Sequence, residues 1–409
     1  MTKVDQISEP TERASARLDW LLECSACEQS SDPQGLPTVC PDCGQPWLVH
    51  YPVRRHPLEA RSLLGRRSTG EADTPSQGMW RYRRFLPLSP GEAPVSLGEG
   101  GTPLLELDRS ARNLDLGQVW LKDESTNPTG SFKARGLAMA VTRSAAAGAE
   151  SFVIPTAGNA GVALAAYAAR AGRHATVFAP GTTPGTILAQ IRAFGAELKL
   201  IDGHIGDCGR AARELSARTG AFDLSTLREP YRIEGKKTLG LELAEQLGWT
   251  LPDAIIYPAG GGTGLIGMWR AFRELQTAGW VEDRLPRLFA VQSSGCAPVV
   301  LAVEAGADRC EPWADSWTVA SGLRVPNPLG GALMLRAIRE TSGGAVAVSD
   351  SDLEQEAGTV SRREGVDLSP EGGATFAAAR QLRSRGHLTS EDRVILFNTG
   401  AGWLYRGGQ

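Results

Sequence analysis

The sequence predicts an α/β protein that is built on a mostly parallel β-sheet with helices on both faces. From about residue 121 onward, short apolar runs alternate with helical patterns. The chain contains 48 glycines, and many of them lie in short loops that follow the apolar runs. This order is typical of repeated βαβ units, in which a crossover helix joins each strand to the next parallel strand.

The individual elements follow from the apolar runs. Strands are predicted at 151–155 (SFVIP), 174–180 (HATVFAP), 197–201 (ELKLI), 254–258 (AIIYP), 287–292 (RLFAVQ) and 393–397 (RVILF), and helices at 160–172, 186–195 and 265–275. Ligands in open α/β sheets bind beyond the carboxyl ends of the strands. The loops TAGNAG, AGGGTG and NTGAGW, which follow three of these strands, therefore predict one crevice.

Composition limits the classes of function. A chain of 409 residues has room for two or three domains, and its net charge of -3 gives no overall field that attracts nucleic acid or anionic membrane. No stretch reaches the ~18 uncharged apolar residues of a membrane helix. The N-terminus lacks the apolar core of a secretory signal, so a cytoplasmic protein is expected.

The basic stretches RRHPLEARSLLGRR and WRYRRF leave a nucleic-acid interface open, although a connector packed on the acidic body is the simpler interpretation.

Four cysteines form two CxxC pairs near the N-terminus, namely Cys24, Cys27, Cys40 and Cys43. This spacing lets four thiolates surround one Zn²⁺ tetrahedrally, and such a closed site is structural rather than catalytic. A metal-free vestige and a redox pair remain alternatives. The other cysteines, Cys208, Cys296 and Cys310, have no partner at metal-binding spacing and are expected to pack in the interior.

A glycine-rich loop lies between a predicted strand and a predicted helix, with the residues Gly260, Gly261, Gly262, Thr263 and Gly264. Successive glycines let backbone N–H groups converge on an anion, and the start of a helix adds a partial positive charge. The loop therefore predicts a phosphate site, and a tight turn that serves only packing is the alternative. It is not a Walker loop, and no acidic residue follows at the spacing of a dinucleotide-binding fingerprint.

Lys133 follows the turn sequence NPTGSF at a predicted helix start. The helix dipole and apolar neighbours both disfavour the charged form of such a lysine, which makes its amine a better nucleophile for a carbonyl. A solvated surface lysine is the alternative. Together with a phosphate-binding loop, a lysine that attacks carbonyl groups predicts pyridoxal phosphate as the cofactor.

Six segments occur in the order found in fold-type II pyridoxal-phosphate enzymes, the group related to the tryptophan synthase β subunit: KDESTNPTGSFKARG, PTAGNAGVALAAYAARAG, YRIEGKKTLGLEL, PAGGGTGLIG, SGLRVPNP and FNTGAG. The chain most resembles the threonine synthases that carry an N-terminal CxxC module. The resemblance implies two open, mostly parallel twisted sheets with flanking helices and a small zinc-ribbon-like module. It also implies a homodimer and four segments: the module at 1–56, a linker and first part of the large domain at 57–145, a small domain at 146–232, and the rest of the large domain at 233–409.

The resemblance also implies roles for individual residues. Lys133 would hold the cofactor covalently and then move protons at the substrate. The cofactor phosphate would lie in the 260–264 loop, the ring hydroxyl beside Asn159, and the ring nitrogen beside Thr399. The substrate-binding residues would be Thr102, Lys122, Ser131, Thr156, Ala157, Gly158, Ala160 and Arg232.

The implied reaction is the conversion of O-phospho-L-homoserine and water to L-threonine and phosphate. Threonine synthases usually have Asp after the cofactor lysine, whereas this chain has Ala134, as in threonine and serine dehydratases. The segment STLREPYR also differs from the amide-rich segment found in many members of the family. The alternatives are a dehydratase or another lyase that replaces β or γ substituents and, from a different class, a non-catalytic regulator with a zinc module.

Overall fold

The computed structural model describes residues 18–51, 78–282 and 284–406. Within these ranges the chain forms three β-sheets with flanking α-helices. The strands are β1 (Leu21–Cys24), β2 (Ser30–Ser31), β3 (Trp47–His50), β4 (Leu104–Glu106), β5 (Gln118–Asp123), β6 (Ser151–Pro155), β7 (His174–Pro180), β8 (Glu197–Ile201), β9 (Phe222–Asp223), β10 (Ala254–Pro258), β11 (Arg287–Ser293), β12 (Gly344–Val348) and β13 (Arg393–Asn398). The helices are α1 (Asp108–Leu114), α2 (Lys133–Ala146), α3 (Asn159–Arg170), α4 (Gly185–Ala193), α5 (Ile205–Thr219), α6 (Tyr231–Gln246), α7 (Thr263–Thr277), α8 (Pro298–Glu304), α9 (Gly331–Glu340), α10 (Asp350–Glu364) and α11 (Pro370–Ser384).

The larger sheet has the strand order β12-β11-β10-β13-β5-β4. It is parallel except at β4, which runs antiparallel to β5. Alternate residues of β10 pack into different cores, since Ile256 joins one hydrophobic cluster and Ile255 joins another. A strand that is buried on both faces in this way requires a continuous apolar sequence, which AIIYP supplies.

The smaller sheet has the order β8-β7-β6-β9 and is parallel throughout. Its strand β6 is also covered on both sides. Phe152 and Ile154 pack into the cluster that contains α2 and α3, and Val153 packs towards α5. The loops after β6, β10 and β13 begin at the carboxyl ends of parallel strands, as the sequence predicts.

The N-terminal strands form a separate antiparallel sheet of order β2-β1-β3. This sheet shares a core with α2 and α3 through the buried side chains of Trp20, Leu22 and Trp47. The Tyr231 hydroxyl, at the start of α6, donates to the carbonyl of Pro33 at 3.3 Å. The module therefore packs directly against the helices that carry the residues of the site.

The predicted fold class is confirmed: two mostly parallel sheets with flanking helices and a small N-terminal module. Of the basic stretches, WRYRRF forms a 3₁₀ turn (Met79–Phe85) in which Arg81 forms a salt bridge with Glu245 on α6 at 2.6 Å. RRHPLEARSLLGRR lies outside the described residues, as does the predicted boundary between residues 56 and 57. The four segments and the three boundaries between them remain predictions.

Candidate active site

Lys133 is the first residue of α2. Two hydrogen bonds hold the preceding turn to the loop after β13. The Phe132 amide donates to the Thr399 carbonyl at 3.0 Å, and the Ala401 amide donates to the Gly130 carbonyl at 2.8 Å. Gly130 has a φ of +67°, a conformation that favours glycine. The local sequence thus forms the turn, and its pairing with a distant loop fixes the lysine at the helix start.

The surroundings of Lys133 favour its neutral form. Burial, together with the charge of Arg232, lowers the pKa of Lys133 to about 8, and Glu371 opposes this lowering. Removal from water disfavours a charged amine, and a nearby cation acts in the same direction. The amine is therefore prepared for nucleophilic and proton-transfer chemistry near neutral pH.

The glycine-rich loop joins β10 to α7, and Gly262 is the N-cap residue of that helix with a φ of +73°. A Cβ atom at Gly262 would lie 2.1 Å from the Met334 sulfur, and one at Gly264 would lie 1.9 Å from the Tyr257 hydroxyl oxygen. Within the described ranges, no side-chain hydrogen bond caps this helix start. Since the first N–H groups of a helix have no intrahelical acceptor, they remain available to an anion.

Asn159 is the first residue of α3, and its side chain is buried. Its Nδ2 lies 3.5 Å from the Tyr405 hydroxyl, whereas its Oδ1 has no hydrogen-bond partner among the described residues. A Cβ atom at Gly400 would lie 3.2 Å from the Asn159 Nδ2. The loops after β6 and β13 therefore meet at this asparagine.

The predicted carboxylate-binding loop precedes Asn159. The Gly158 amide donates to the Thr156 hydroxyl at 3.1 Å, so this amide already has an acceptor. Ala160 is buried in the first turn of α3, and Ala157 is half-buried. A role in binding a carboxylate remains a prediction for Thr156, Ala157, Gly158 and Ala160.

Arg232 is fully buried in the first turn of α6. Its NH1 donates to the Leu224 carbonyl at 2.7 Å, and its Nε has no partner among the described residues. Burial lowers the pKa of Arg232, although Glu229 and Asp223 oppose this. Ser131, two residues before Lys133, is also buried, and its Oγ is unpartnered within the described part of the chain. A buried cation and a buried hydroxyl with unused hydrogen-bonding capacity are suited to an anionic ligand.

Lys122 and Thr102 have a different environment. The three donors of the Lys122 ammonium contact the Thr102 carbonyl at 2.7 Å, Glu242 at 2.6 Å and Gln246 at 2.9 Å. The Thr102 hydroxyl donates to Glu124 at 2.5 Å. Because a lysine has only three N–H donors, this arrangement argues against the predicted substrate role of Lys122. Both residues instead belong to a buried network of charges.

Arg135 is the centre of that network. It lies in the first turn of α2 and forms salt bridges with Glu124 at 2.8 Å and with Glu242 at 3.0 Å. All three side chains are buried. The network ties α2, the segment after β5 and α6 together next to Lys133.

Glu371 and Tyr405 belong to the site but were not predicted from the sequence. Glu371 Oε1 accepts hydrogen bonds from the Gly322 amide at 2.8 Å and from the Tyr405 hydroxyl at 3.0 Å, whereas its Oε2 is unpartnered among the described residues. Burial, with the charge of Glu371, raises the pKa of Tyr405 well above its ordinary value. The sequence SPE marks the start of α11, but nothing local indicates that this helix points towards Lys133.

The arrangement fits pyridoxal phosphate. The glycine loop lies at a helix start and has the close packing of a phosphate site, and Thr399 is buried directly after β13. The unpartnered Asn159 Oδ1 can accept a hydrogen bond from a ring hydroxyl. The individual cofactor contacts, of Lys133, Asn159, Thr399 and the 260–264 loop, remain predictions.

The four N-terminal cysteines form one cluster. Their sulfur atoms all lie within 4.8 Å of one another, and the separation of Cys24 from Cys43 is 3.3 Å. Cys24 and Cys40 are buried, whereas Cys27 and Cys43 are exposed. A tetrahedral zinc with Zn–S bonds of about 2.3 Å requires four sulfur atoms at such separations. The cluster therefore fits a structural zinc ion.

None of the helices in residues 18–51, 78–282 and 284–406 combines the length and the apolar character that a membrane-spanning helix needs.

Comparison with known proteins agrees with the geometry. Residues 95–400 match the family described as pyridoxal-phosphate dependent enzyme. The threonine synthase of Methanosarcina acetivorans is 34% identical over 93% of this chain and 91% of the relative. The threonine synthase of Methanocaldococcus jannaschii is 32% identical over 80% of each chain.

Solved structures support the same fold. Maize serine racemase superposes with a TM-score of 0.64 at 22% identity, and covers 74% of this chain and 88% of its own. The processed form of threonine deaminase isoform 2 from Solanum lycopersicum superposes with a TM-score of 0.62 at 22% identity, and covers 73% of this chain and 83% of its own.

Proposed function

The chain belongs to the pyridoxal-phosphate-dependent enzyme family and to its threonine synthase group, and we propose that it converts O-phospho-L-homoserine and water to L-threonine and phosphate. The choice of substrate rests on two separate groups of residues that are suited to anions, in addition to Lys133. The 260–264 loop suits the cofactor phosphate, and the buried Arg232 with Ser131 suits a second phosphate. A dehydratase acting on threonine or serine has no need of the second element.

The cofactor, when bound, supplies an electron sink for negative charge at the substrate Cα. The neutral Lys133 amine is suited to remove the Cα proton, and then to exchange protons at Cβ and Cγ. Arg232 and Ser131 hold the substrate phosphate at Cγ, where the C–O bond breaks. Water then adds at Cβ, and the products are threonine and inorganic phosphate.

Arg232 has a further feature that suits a phosphate. Within the described parts of the chain, no carboxylate lies within salt-bridge distance of its guanidinium, although Glu229 is nearby and affects its charge. The Glu229 carboxylate instead accepts a hydrogen bond from the backbone amide of Tyr231 at 2.7 Å. A buried arginine without a paired carboxylate is stabilised when an anionic ligand arrives.

A paired assay tests the proposal. Purified protein reconstituted with pyridoxal phosphate is given O-phospho-L-homoserine or, separately, L-threonine. We expect equal amounts of phosphate and threonine from the first substrate. Release of 2-oxobutanoate from threonine, without phosphate release from the first substrate, would establish a dehydratase instead. No product from either substrate in a cofactor-bound protein would favour another β- or γ-replacing lyase or the non-catalytic regulator.

A variant of Arg232 tests the second anion site. Arg232→Gln removes the charge that would hold the substrate phosphate, and we expect KM for O-phospho-L-homoserine to rise about tenfold or more, since a charge-assisted hydrogen bond contributes about 1.5–3 kcal/mol. Cofactor affinity should change little. Arg218→Gln, an exposed arginine in the last turn of α5, is the control. An unchanged KM in the Arg232 variant would remove the basis for a phosphorylated substrate.

We place the enzyme in the cytoplasm as a homodimer. None of the cysteines in the described residues forms a disulfide, which suits a reducing compartment. The exposed apolar side chains of Leu301, Trp317 and Val319, on α8 and a later loop, support a subunit contact. Analytical ultracentrifugation tests the dimer, and fractionation of the source cells tests the compartment.

A further inference from the structure

Lys236 is a second buried lysine beside Lys133, and the reaction proposed above does not use it. It lies in α6, one turn after Arg232, and its side chain is fully buried. Its Nζ donates a hydrogen bond to the carbonyl of Phe132, the residue directly before Lys133. The Lys236 Nζ lies 3.9 Å from the centroid of the Phe132 ring, and the Lys133 Nζ lies 4.4 Å from the same centroid. Both amines are therefore held against one aromatic side chain.

Glycines make space for the Lys236 side chain. A Cβ atom at Gly136, in the first turn of α2, would lie 2.9 Å from the Lys236 Cε. A Cβ at Gly235 would lie 2.2 Å from the Arg135 carbonyl oxygen, and one at Gly267 would lie 2.8 Å from the Lys236 backbone carbon. These three glycines let α2, α6 and α7 approach closely, so that a long side chain on α6 reaches the start of α2.

The neighbouring lysine provides a contrast. Lys237 is equally buried, but it forms salt bridges with Glu234 at 2.7 Å and with Glu274 at 2.9 Å. No carboxylate of the described residues lies within salt-bridge distance of Lys236. A buried charge without a partner destabilises the folded state. The salt bridges of Lys237 therefore indicate a residue that stabilises the fold, whereas the environment of Lys236 does not.

The charged groups around Lys236 are mostly cations. Burial lowers the pKa of Lys236 well below its ordinary value; Lys133, Arg232 and Arg135 lower it further, and Glu124 opposes them. The neutral amine is therefore favoured. A neutral amine still donates an N–H to the carbonyl before Lys133.

The helix itself holds this carbonyl only weakly. In the part of the chain that the structure describes, the other hydrogen bond to the Phe132 carbonyl comes from the Arg135 amide at 3.3 Å, which is long for a hydrogen bond between amide and carbonyl. We propose that Lys236 is a positioning residue for Lys133: it fixes the Phe132 carbonyl and ring so that the Lys133 amine stays aimed at the cofactor and at the substrate Cα. The inference rests on the proposed function only for the identity of the substrate.

The test compares substitutions at two adjacent buried lysines in the holoenzyme. Lys236→Met keeps an unbranched apolar chain and removes the donor, whereas Lys236→Arg retains a donor. Lys237→Met is the control, since Lys237 pairs with carboxylates and packs over the Tyr51 ring instead of Phe132. The measurements are kcat and KM with O-phospho-L-homoserine, the pH midpoint of the visible absorbance band of the bound cofactor, and the melting temperature.

We expect Lys236→Met to lower kcat about tenfold to hundredfold, because a misplaced reacting group loses this much rate, while KM stays near the wild-type value. The pH midpoint of the absorbance band should shift, and Lys236→Arg should restore most of kcat. Lys237→Met should lower the melting temperature and leave the pH midpoint in place. If Lys236→Met does not fold, Lys236→Gln, whose amide is too short to reach the Phe132 carbonyl in the same way, is expected to show the same loss.

Three results would overturn the inference. The first is a folded Lys236→Met enzyme with the wild-type kcat and pH midpoint. The second is a raised KM at an unchanged kcat, because this would make Lys236 a substrate ligand. The third is an equal shift of the pH midpoint in Lys237→Met. Failure of the proposed function would give a different result, because the wild-type protein would then form no threonine. The absorbance band would still report on the role of Lys236, since this band requires only the bound cofactor.

Discussion

Gly260 provides a sharp test of the phosphate-binding loop. A Cβ atom at this position would lie 2.2 Å from the carbonyl oxygen of Gly322, which is backbone and cannot rotate away. Gly260 does not have a positive φ, so an alanine there would be strained by this contact and not by its own backbone conformation. Nonbonded carbon and oxygen atoms approach to about 3.3 Å, and Gly260→Ala therefore requires a shift of about 1 Å.

The size of the effect follows from the hydrogen bonds. A loop amide that moves by about 1 Å from an ordinary N···O distance no longer makes a hydrogen bond. A hydrogen bond to a charged group contributes about 1.5–3 kcal/mol. The loss of one such bond would weaken cofactor binding about tenfold to hundredfold.

Gly261→Ala is the matched control. Its Cβ would lie 3.1 Å from the Thr226 Cγ2, a side-chain methyl group that can move. Displacing a side chain from its rotamer costs about 0.5–1.5 kcal/mol, so the affinity should fall by less than about tenfold. The assay is titration of each cofactor-free protein with pyridoxal phosphate, followed by absorbance, with the melting temperature as a check on folding.

A folded Gly260→Ala protein that binds the cofactor as tightly as the wild type would contradict this prediction. Equal losses of affinity in the two alanine variants would also contradict it, because the contact distances would then not determine the effect. A fall in melting temperature without a fall in affinity would mean that the loop packs against Gly322 for stability alone.

Three further predictions concern charge and metal. Covalent rebinding of the cofactor to Lys133 should accelerate as pH rises through about 8, because the protonated amine below this pH is not nucleophilic. Stopped-flow absorbance measures this rate, and a rate that does not depend on pH would contradict the prediction. Glu242→Gln should lower the free energy of unfolding by about 3–5 kcal/mol in urea, because Lys122 and Arg135 lose a buried anion. Glu340→Gln, at a partly exposed carboxylate that pairs with Arg273 and Arg336, should cost about 0–1 kcal/mol, and an equal loss in both variants would contradict the prediction. Removal of zinc by a chelator should unfold the N-terminal module first, which tryptophan fluorescence would report; a protein purified without zinc and unaffected by the chelator would rule out the metal.

Part of the site could be recognised from local sequence. The turn before Lys133, the 260–264 loop and the CxxC pairs each need particular residues at fixed short spacing, because a tight turn, a phosphate-binding loop and a metal cluster are local structures. The strands β6, β7, β10 and β13 were predicted because buried parallel strands are continuous apolar runs. Strands β5 and β12 were not predicted: QVWLKD contains charged residues, and GAVAV is short and small.

The buried charge network required the tertiary structure. The family resemblance predicts that Lys122 binds substrate, but its three donors are used by Thr102, Glu242 and Gln246. Two of these partners lie more than a hundred residues away in the sequence. No local pattern distinguishes a lysine that is paired across helices from one that faces a ligand.

By itself, the sequence determined the fold class, the cofactor and the residue expected to bind it, because these depend on short segments with strict conformational requirements. Only the tertiary structure decided which charged side chains surround Lys133. Glu371, Tyr405 and Lys236 reach the site from α11, the C-terminal segment and α6. Their proximity results from the packing of helices around two sheets, and the burial that this packing causes lowers the pKa of Lys236.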